Sequence, residues 1–162
     1  MAHRATVERV NLVDELQAIT GALGAAGIPY AVCGGIAVTI YGATRTTKDI
    51  DLLVAPDAVP RVLEVVRPLG YVFAALPMTF DAGSERERHV QRVSKMEGNQ
   101  HLILDLILAE AAFAGLVDER VEVALPHGPI SVVSLEGLLR MKRLAGRPQD
   151  LADIEQLEQD DG

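Results

Sequence analysis

Residues 33–54 read CGGIAVTIYGATRTTKDIDLLV, and this stretch carries most of the fold prediction. Two glycines, Gly34 and Gly35, end one short apolar run, and two acids, Asp49 and Asp51, interrupt the next. Side chains two residues apart on a strand point to the same face, so the two carboxylates are expected to project together. Burying a carboxylate beside an apolar core is costly unless a cation meets it. The two acids are therefore expected either to face water or to hold a metal ion.

Paired carboxylates of this kind suit Mg²⁺, which prefers oxygen ligands and is held by one or two carboxylates plus substrate phosphates. Two such ions about 4 Å apart can stabilise the attacking and leaving oxygens of a phosphoryl displacement. Glycines without a Cβ let backbone approach a phosphate, and a short helix over 36–41 would turn free N–H groups toward it. The alternatives remain open at this point, because a Gly-Gly pair can be a simple turn and Asp-x-Asp can be an exposed edge.

A third acid, Asp105, lies within HLILDLIL, residues 101–108, the most apolar run of the chain. An unpaired carboxylate in such a strand is costly. On a strand next to the Asp-x-Asp pair, Asp105 would become a third metal ligand or a general base. The alternative is an aspartate at a strand end that reaches solvent.

Composition predicts a single soluble, cytoplasmic domain. The chain has 162 residues, 49% of them apolar and 4% aromatic, and a net charge of −8, which argues against a dedicated nucleic-acid binder. The single Cys33 fits a reducing compartment, and no 18-residue apolar span predicts a membrane helix. We expect residues 1–157 to form one domain and the acidic segment 158–162 to be a disordered tail.

Hydrophobic periodicity and turn residues predict an α/β (α+β) fold with a mixed sheet. The segment EGNQ, residues 97–100, is a good hairpin turn, PHG at residues 126–128 is a second one, and the segment 76–86 has no clear period and is predicted to be a loop. Ser134 is expected to cap the helix that follows it. The predicted helices cover 7–23, 36–41, 56–69, 135–144 and 151–157, and the predicted strands cover 30–33, 49–54, 71–74, 89–96, 101–108, 121–125 and 130–133.

The order Gly-Gly, thirteen residues, Asp-Ile-Asp-Leu and a later Asp in an apolar strand resembles the nucleotidyltransferase superfamily, the polymerase-β-like fold. The segments YGATRTTKDIDLLV and GRPQDLADIEQL are similar to its small bacterial branch of AbiEii and MenT-type toxin nucleotidyltransferases. The resemblance implies a nucleotidyltransferase fold, in which helices pack around a mixed sheet.

The same resemblance implies roles for individual residues. Gly34 and Gly35 would cradle nucleotide phosphates, and Asp49, Asp51 and Asp105 would bind two Mg²⁺ ions, with Asp105 also activating the acceptor hydroxyl. Where many relatives have Ser, this chain has Gly35, so a hydroxyl contact to phosphate is absent.

Several cations are candidates for binding the nucleotide or the acceptor. Arg45 and Lys48 precede the acids and could neutralise a triphosphate or simply be solvated. The resemblance implies that Lys142 could reach the phosphates, and the alternative is an exposed cation at a helix end. Two neighbouring residues, Arg147 and Asp150, fall in the segment that resembles the family's C-terminal motif, and Asp150 could equally be a helix N-cap. The local basic cluster could guide an anionic acceptor such as a tRNA end or form a solvated strand face, and it contains Arg86, Arg88, Arg92 and Lys95.

These observations predict an Mg²⁺-dependent enzyme that transfers a nucleoside monophosphate from an NTP such as ATP to a hydroxyl and releases pyrophosphate. The acceptor stays open between a tRNA 3′ end, a protein hydroxyl and a small-molecule alcohol, and a toxin–antitoxin pair with a cognate antitoxin is one setting. The alternative is a catalytically silent module of the same fold, acting as an antitoxin or regulator. An NAD-binding domain fits poorly because the glycines read G-G-I-A-V-T, not G-x-G-x-x-G.

Overall fold

A computed structural model describes residues 11–159. This part of the chain contains five α-helices and eight β-strands. The helices are α1 Leu12–Ala25, α2 Gly34–Ile40, α3 Val59–Val66, α4 Leu135–Ala145 and α5 Pro148–Gln159. The strands are β1 Ala31–Cys33, β2 Ile50–Val54, β3 Phe73–Ala74, β4 Met78–Phe80, β5 Arg88–Glu97, β6 Gln100–Leu108, β7 Val121–Leu125 and β8 Gly128–Val132. Short 3₁₀ helices cover Pro56–Ala58, Arg67–Leu69 and Ala111–Phe113.

All eight strands form one mixed sheet in the order β3-β5-β6-β2-β1-β8-β7, with β4 also paired to β5. The pairs β1–β8 and β2–β6 are parallel, and the remaining pairs are antiparallel. The predicted α/β fold with a mixed sheet is therefore confirmed. The acid-bearing strand β2 lies at the centre of the sheet, where neighbouring strands satisfy its backbone on both sides.

Local sequence signals explain how the elements begin and end. Asn11 accepts the N–H of Val13 and caps α1, and Gly27 follows this helix in the left-handed region at φ +69°. The predicted cap of α4 is confirmed, because the Ser134 hydroxyl accepts the N–H of Gly137. The predicted positions Val7 and Val10 of the first helix lie outside the described residues.

The two predicted hairpins are also present. In the β5–β6 hairpin Glu97 pairs with Gln100 across a two-residue turn, and Gly98 adopts φ +59°, which glycine tolerates without strain. In the β7–β8 hairpin Leu125 pairs with Gly128. These turns set the register of the strands that follow them.

Two boundary predictions are wrong for identifiable reasons. The segment 76–86 was predicted to be a loop, but it contains the three-residue strand β4. This strand forms because its backbone pairs with β5. Gly34 and Gly35 do not form a separate turn, since α2 begins at Gly34 itself.

The last helix also differs from its prediction. It begins at Pro148 rather than at residue 151, because proline is well suited to the first helical position. It continues through Gln159, so residues 158 and 159 are helical and do not belong to a disordered tail. Residues 160–162 of the predicted tail lie outside the described part.

The core is aliphatic, as the 4% aromatic content requires. Ile50, Leu52, Leu53 and Val54 of the central strand are almost completely buried. None of the helices within residues 11–159 has the length and apolar character needed to cross a bilayer.

Candidate active site

Four side chains form one row across four adjacent strands of the sheet. Asp51 on β2 pairs with Cys33 on β1 and with Asp105 on β6, and Asp105 pairs with Arg92 on β5. Paired residues on neighbouring strands share a face, so the two acids lie side by side. The convergence of Asp51 and Asp105 expected from the sequence is present in the structure.

The glycine pair lies directly against this row. Gly34 has φ +65°, and a Cβ at this position would overlap the Asp51 carboxylate and lie 2.7 Å from its Cγ. A Cβ at Gly35 would lie 2.6 Å from the Thr47 hydroxyl oxygen. Only residues without a side chain therefore allow α2 to start this close to the acids and to the loop before β2.

Asp49 lies one residue before β2, not within the strand as predicted, because pairing begins at Ile50. The Thr47 hydroxyl donates to the Asp49 carbonyl oxygen at 3.4 Å. Burial, followed by the charges of Asp105 and Asp49, raises the pKa of Asp51 to about 7. The three carboxylates therefore repel one another, and a bound cation would relieve that repulsion.

Cys33 lies at the other end of the row and is completely buried. Burial, with a smaller contribution from the charge of Asp51, raises the pKa of its thiol well above the usual range. A thiol held neutral in this way is a poor nucleophile, so Cys33 contributes packing rather than chemistry.

Asp105 is buried and does not reach solvent at a strand end. Arg92 donates from Nε to Oδ1 at 2.8 Å and from Nη2 to Oδ2 at 3.0 Å, so both carboxylate oxygens are bound. This hydrogen bonding raises the pKa of Arg92. Arg92 was expected only as a member of the basic cluster, and its pairing with Asp105 was not predicted from the sequence.

The row opens into a pocket of about 450 Å³. Gly34 and Gly35 lie in its wall beside the carboxylates. Among the described residues, six cationic side chains line the pocket, namely Arg45, Lys48, Arg88, Arg92, Lys142 and Arg147. The lining carboxylates are Asp49, Asp51, Asp105 and Asp150. An excess of cations in a chain of net charge −8 indicates a site for an anionic ligand.

Lys142 is not the exposed cation at a helix end that one sequence interpretation suggested. It is buried, and its Nζ lies 3.3 Å from Asp150 Oδ1 and 3.1 Å from Asp153 Oδ2. Asp153 also accepts from Arg45 at 2.7 Å. Through Asp153, a buried acid that was not predicted as a site residue, helix α5 therefore contacts both Arg45 and Lys142.

Asp150 is the third residue of α5 and not the N-cap before it. The Asp150 carboxylate accepts two hydrogen bonds from Arg147, one from the backbone N–H at 3.1 Å and one from the side-chain Nε at 2.8 Å. Asp150 therefore caps the first turn of α5 from a position within the helix. Burial works to raise the pKa of Asp150, but the hydrogen bond from Arg147 and the charge of Lys142 outweigh it and lower that pKa.

The remaining members of the basic cluster make contacts within the chain, so the cluster is not a solvated strand face. Arg86 donates to the carbonyl oxygens of Leu144 and Ala145 at the end of α4. Arg88 forms an ion pair with Asp81 at 2.8 Å and lies over the ring of Phe80. Lys95 is buried and forms an ion pair with Glu15 at 2.8 Å.

The oxygen donors Asp49, Asp51 and Asp105 suit Mg²⁺ chemically. Residues 11–159 contain no group of three or more His, Cys, Asp or Glu side chains already arranged around one metal position. Asp51 and Asp105 are the adjacent pair, and one or two carboxylates plus substrate phosphates are enough for Mg²⁺. The side chains present therefore fit a metal that binds together with a nucleotide.

Solved structures share this fold. A proposed nucleotidyltransferase from Thermotoga maritima aligns with a TM-score of 0.64 and 14% identity, covering 98% of this chain and 99% of that one. ANT(2″)-Ia in complex with adenylyl-2″-tobramycin aligns with a TM-score of 0.59 and 18% identity, covering 93% and 89%. The lincomycin-bound lincosamide antibiotic adenylyltransferase LnuA aligns with a TM-score of 0.58 and 19% identity, covering 90% and 95%. These likenesses confirm the predicted nucleotidyltransferase fold.

A comparison with curated proteins found no match. A protein family described as "uncharacterised nucleotidyltransferase" matches residues 2–141, which include the glycine pair and all three acids. The match confirms the predicted superfamily and enzyme class. The chain therefore belongs to this family of nucleotidyltransferases.

Proposed function

We propose that this chain transfers a nucleoside monophosphate from an NTP to an acceptor hydroxyl and releases pyrophosphate. One observation carries the proposal. Asp51 and Asp105 lie side by side next to Gly34, in a pocket that is rich in cations although the chain as a whole is acidic. Positioning and charge neutralisation are what phosphoryl-type transfer requires from a protein.

The triphosphate is proposed to lie on the α2 and α4 side of the acids. The bare backbone of Gly34 and Gly35 is on this side, and the neighbouring cations are Arg45, Lys48 and Lys142. Charge-assisted hydrogen bonds from such groups are shorter and stronger than neutral ones, so they can hold the phosphates of ATP or another NTP.

Asp51 and Asp105, with Asp49, would hold Mg²⁺, and we propose two ions. When bound, the ions supply charge stabilisation to the attacking and leaving oxygens. Asp105 is proposed to accept the proton of the acceptor hydroxyl, because it is the acid nearest the β5 and β4 side of the pocket.

The acceptor is proposed to be a small-molecule alcohol with an apolar face. Next to the acid row, Ile107, Val90 and Met78 form a second, half-buried row on the same face of the sheet. These side chains and Phe80 line the pocket beyond Asp105. Solved structures with the same fold hold adenylyl-2″-tobramycin or lincomycin, so lincomycin belongs in the first acceptor panel and tobramycin, which has no apolar face, serves as its polar comparison.

The chain's own contacts give less support to a tRNA acceptor. Arg86, Arg88 and Lys95, which the sequence suggested as an RNA guide, are engaged with groups of this chain. Membership of the AbiEii and MenT-type branch, with a toxin role, a cognate antitoxin and a cytoplasmic location, rests on the resemblance of the sequence motifs. That branch predicts label in tRNA in the experiment below.

The test is transfer from α-labelled ATP, GTP, CTP and UTP with Mg²⁺ and a cell extract separated into small-molecule, RNA and protein fractions. We expect label in the small-molecule fraction with the wild type and none with Asp51→Asn. The matched control is the exposed Asp118→Asn, which should retain transfer. Label in RNA or protein would refute the acceptor assignment but not the chemistry.

Calorimetry separates the enzyme from a silent module of the same fold. We expect ATP to bind in the presence of Mg²⁺, and to bind much more weakly to Asp51→Asn. An absence of ATP binding to the wild type, together with an absence of transfer in every fraction, would refute the proposed function.

A further inference from the structure

Arg92 makes the strongest contact in the acid row. Its guanidinium binds both oxygens of Asp105 in the bidentate geometry that gives arginine its specificity for carboxylates. The Asp105 side chain is 12% exposed, whereas the Arg92 side chain is 38% exposed, so the arginine reaches the acid from the open side of the pocket.

The pairing is built into the sheet. Arg92 and Asp105 are directly opposite each other in the β5–β6 hairpin, and Asp51 is opposite Asp105 on the other side. Asp105 therefore lies between a cation and a carboxylate, and each of its two oxygens accepts one N–H of the guanidinium. A carboxylate has about four lone-pair sites, and the bidentate contact uses two of them.

A metal ion on Asp51 and Asp105 would share Asp105 with Arg92. The guanidinium and the metal would be two positive charges on one carboxylate, in a partly buried site where charges are weakly screened. Each would reduce the affinity of Asp105 for the other, and this coupling is reciprocal.

We propose that Arg92 is a positioning residue that holds Asp105 in place before the metal binds and then weakens metal binding by competing for the same carboxylate. This inference rests on the proposed function, since it takes Asp51 and Asp105 as metal ligands. It assigns Arg92 to the site as a contact of an active-site acid rather than as part of a basic surface.

The experiment measures Mn²⁺ affinity by electron paramagnetic resonance of free Mn²⁺, without nucleotide, for the wild type, Arg92→Met and Arg92→Lys. Arg92→Met should bind Mn²⁺ about fivefold or more tightly than the wild type, because the competing cation is gone. Arg92→Lys keeps the charge but loses the bidentate contact, so its Mn²⁺ affinity should lie between those of the wild type and Arg92→Met. The matched control, Arg88→Met, removes a cation from the same strand and pocket that pairs with Asp81, and should leave the affinity within about twofold.

Unfolding provides a second readout. Metal-free Arg92→Met should melt at a lower temperature than the wild type, and its stabilisation by Mn²⁺ should be larger. If Arg92→Met does not fold, Arg92→Gln, which is also uncharged, replaces it with the same expected direction. An unchanged or weaker Mn²⁺ affinity, or an equal gain in Arg88→Met, would overturn the inference alone. If neither the wild type nor Arg92→Met binds Mn²⁺ without nucleotide, the inference is overturned, whereas the metal role of the acids is tested separately by the manganese positions in a nucleotide complex.

Discussion

Asp51→Asn should stabilise the metal-free protein, and the gain should grow with pH. In the folded chain, burial and the charges of Asp105 and Asp49 raise the pKa of Asp51 to about 7, from an ordinary value of 3.8. Between these two values the folded state binds more protons at this position than the unfolded state, so this group makes the protein less stable as pH rises from about 4 to about 7. Above that range the penalty is constant.

The magnitude follows from the shift. A difference of about 3 units corresponds to about 4 kcal/mol at ~1.4 kcal/mol per unit, and partial solvent access to Asp51 reduces this to about 2 kcal/mol. Asn is neutral throughout, so the stability gain of Asp51→Asn should rise from near zero at pH 4 to about 2 kcal/mol at pH 8. Urea denaturation in EDTA at pH 4, 6 and 8 measures it, with the exposed Asp118→Asn as the control that should show no trend. A gain that does not depend on pH, or a loss at pH 8, would refute the electrostatic account of the acid row.

Three further substitutions test separate parts of the structure. Gly34→Ala should lose about 1–3 kcal/mol of stability and most transfer activity, because φ of Gly34 is +65° and a Cβ would overlap the Asp51 carboxylate. Unchanged urea unfolding would contradict this prediction. Lys142→Met should cost about 3–5 kcal/mol in the same unfolding assay, because it removes the buried cation that lies between two buried acids, Asp150 and Asp153. A cost under about 1 kcal/mol would contradict its burial in an ion pair. Lys95→Met should lower the free energy of unfolding by about 1–3 kcal/mol, since it leaves Glu15 without its ion pair, and it should leave the Mn²⁺ affinity unchanged. An altered Mn²⁺ affinity would show that Lys95 acts on the metal site.

Signals that lie close together in the sequence predicted much of the fold. The caps, the hairpin turns and the division of the chain into strands and helices follow from residues a few positions apart, such as Ser134 with Gly137 and Glu97 with Gln100. β4 escaped prediction because three residues, Met78–Phe80, have no period of their own and become a strand only through pairing with β5.

The site was predictable where a local rule determines the geometry. Asp51 and Asp105 were expected to meet because an apolar strand does not bury a lone acid. Arg92 could also have been found: it lies five residues before Glu97 and Asp105 lies five after Gln100, so the two-residue turn places them opposite each other.

The burial of Lys142 could not be found in this way. Its partners Asp150 and Asp153 lie on the next helix, and the angle between α4 and α5 decides whether they reach it. The same packing brings Arg45, from a loop more than a hundred residues earlier, onto Asp153. Such contacts depend on tertiary packing, which cannot be predicted from the spacing of residues in the sequence.

The central claim is that Asp51 and Asp105 hold a divalent ion beside the phosphates of a nucleotide. Diffraction from crystals grown with Mn²⁺ and a non-hydrolysable ATP analogue tests it directly, through the anomalous signal of manganese. We expect a peak about 2.1 Å from oxygens of both Asp51 and Asp105, with the phosphates against the backbone of Gly34 and Gly35. A nucleotide bound elsewhere, or manganese absent from these two carboxylates, would contradict the account.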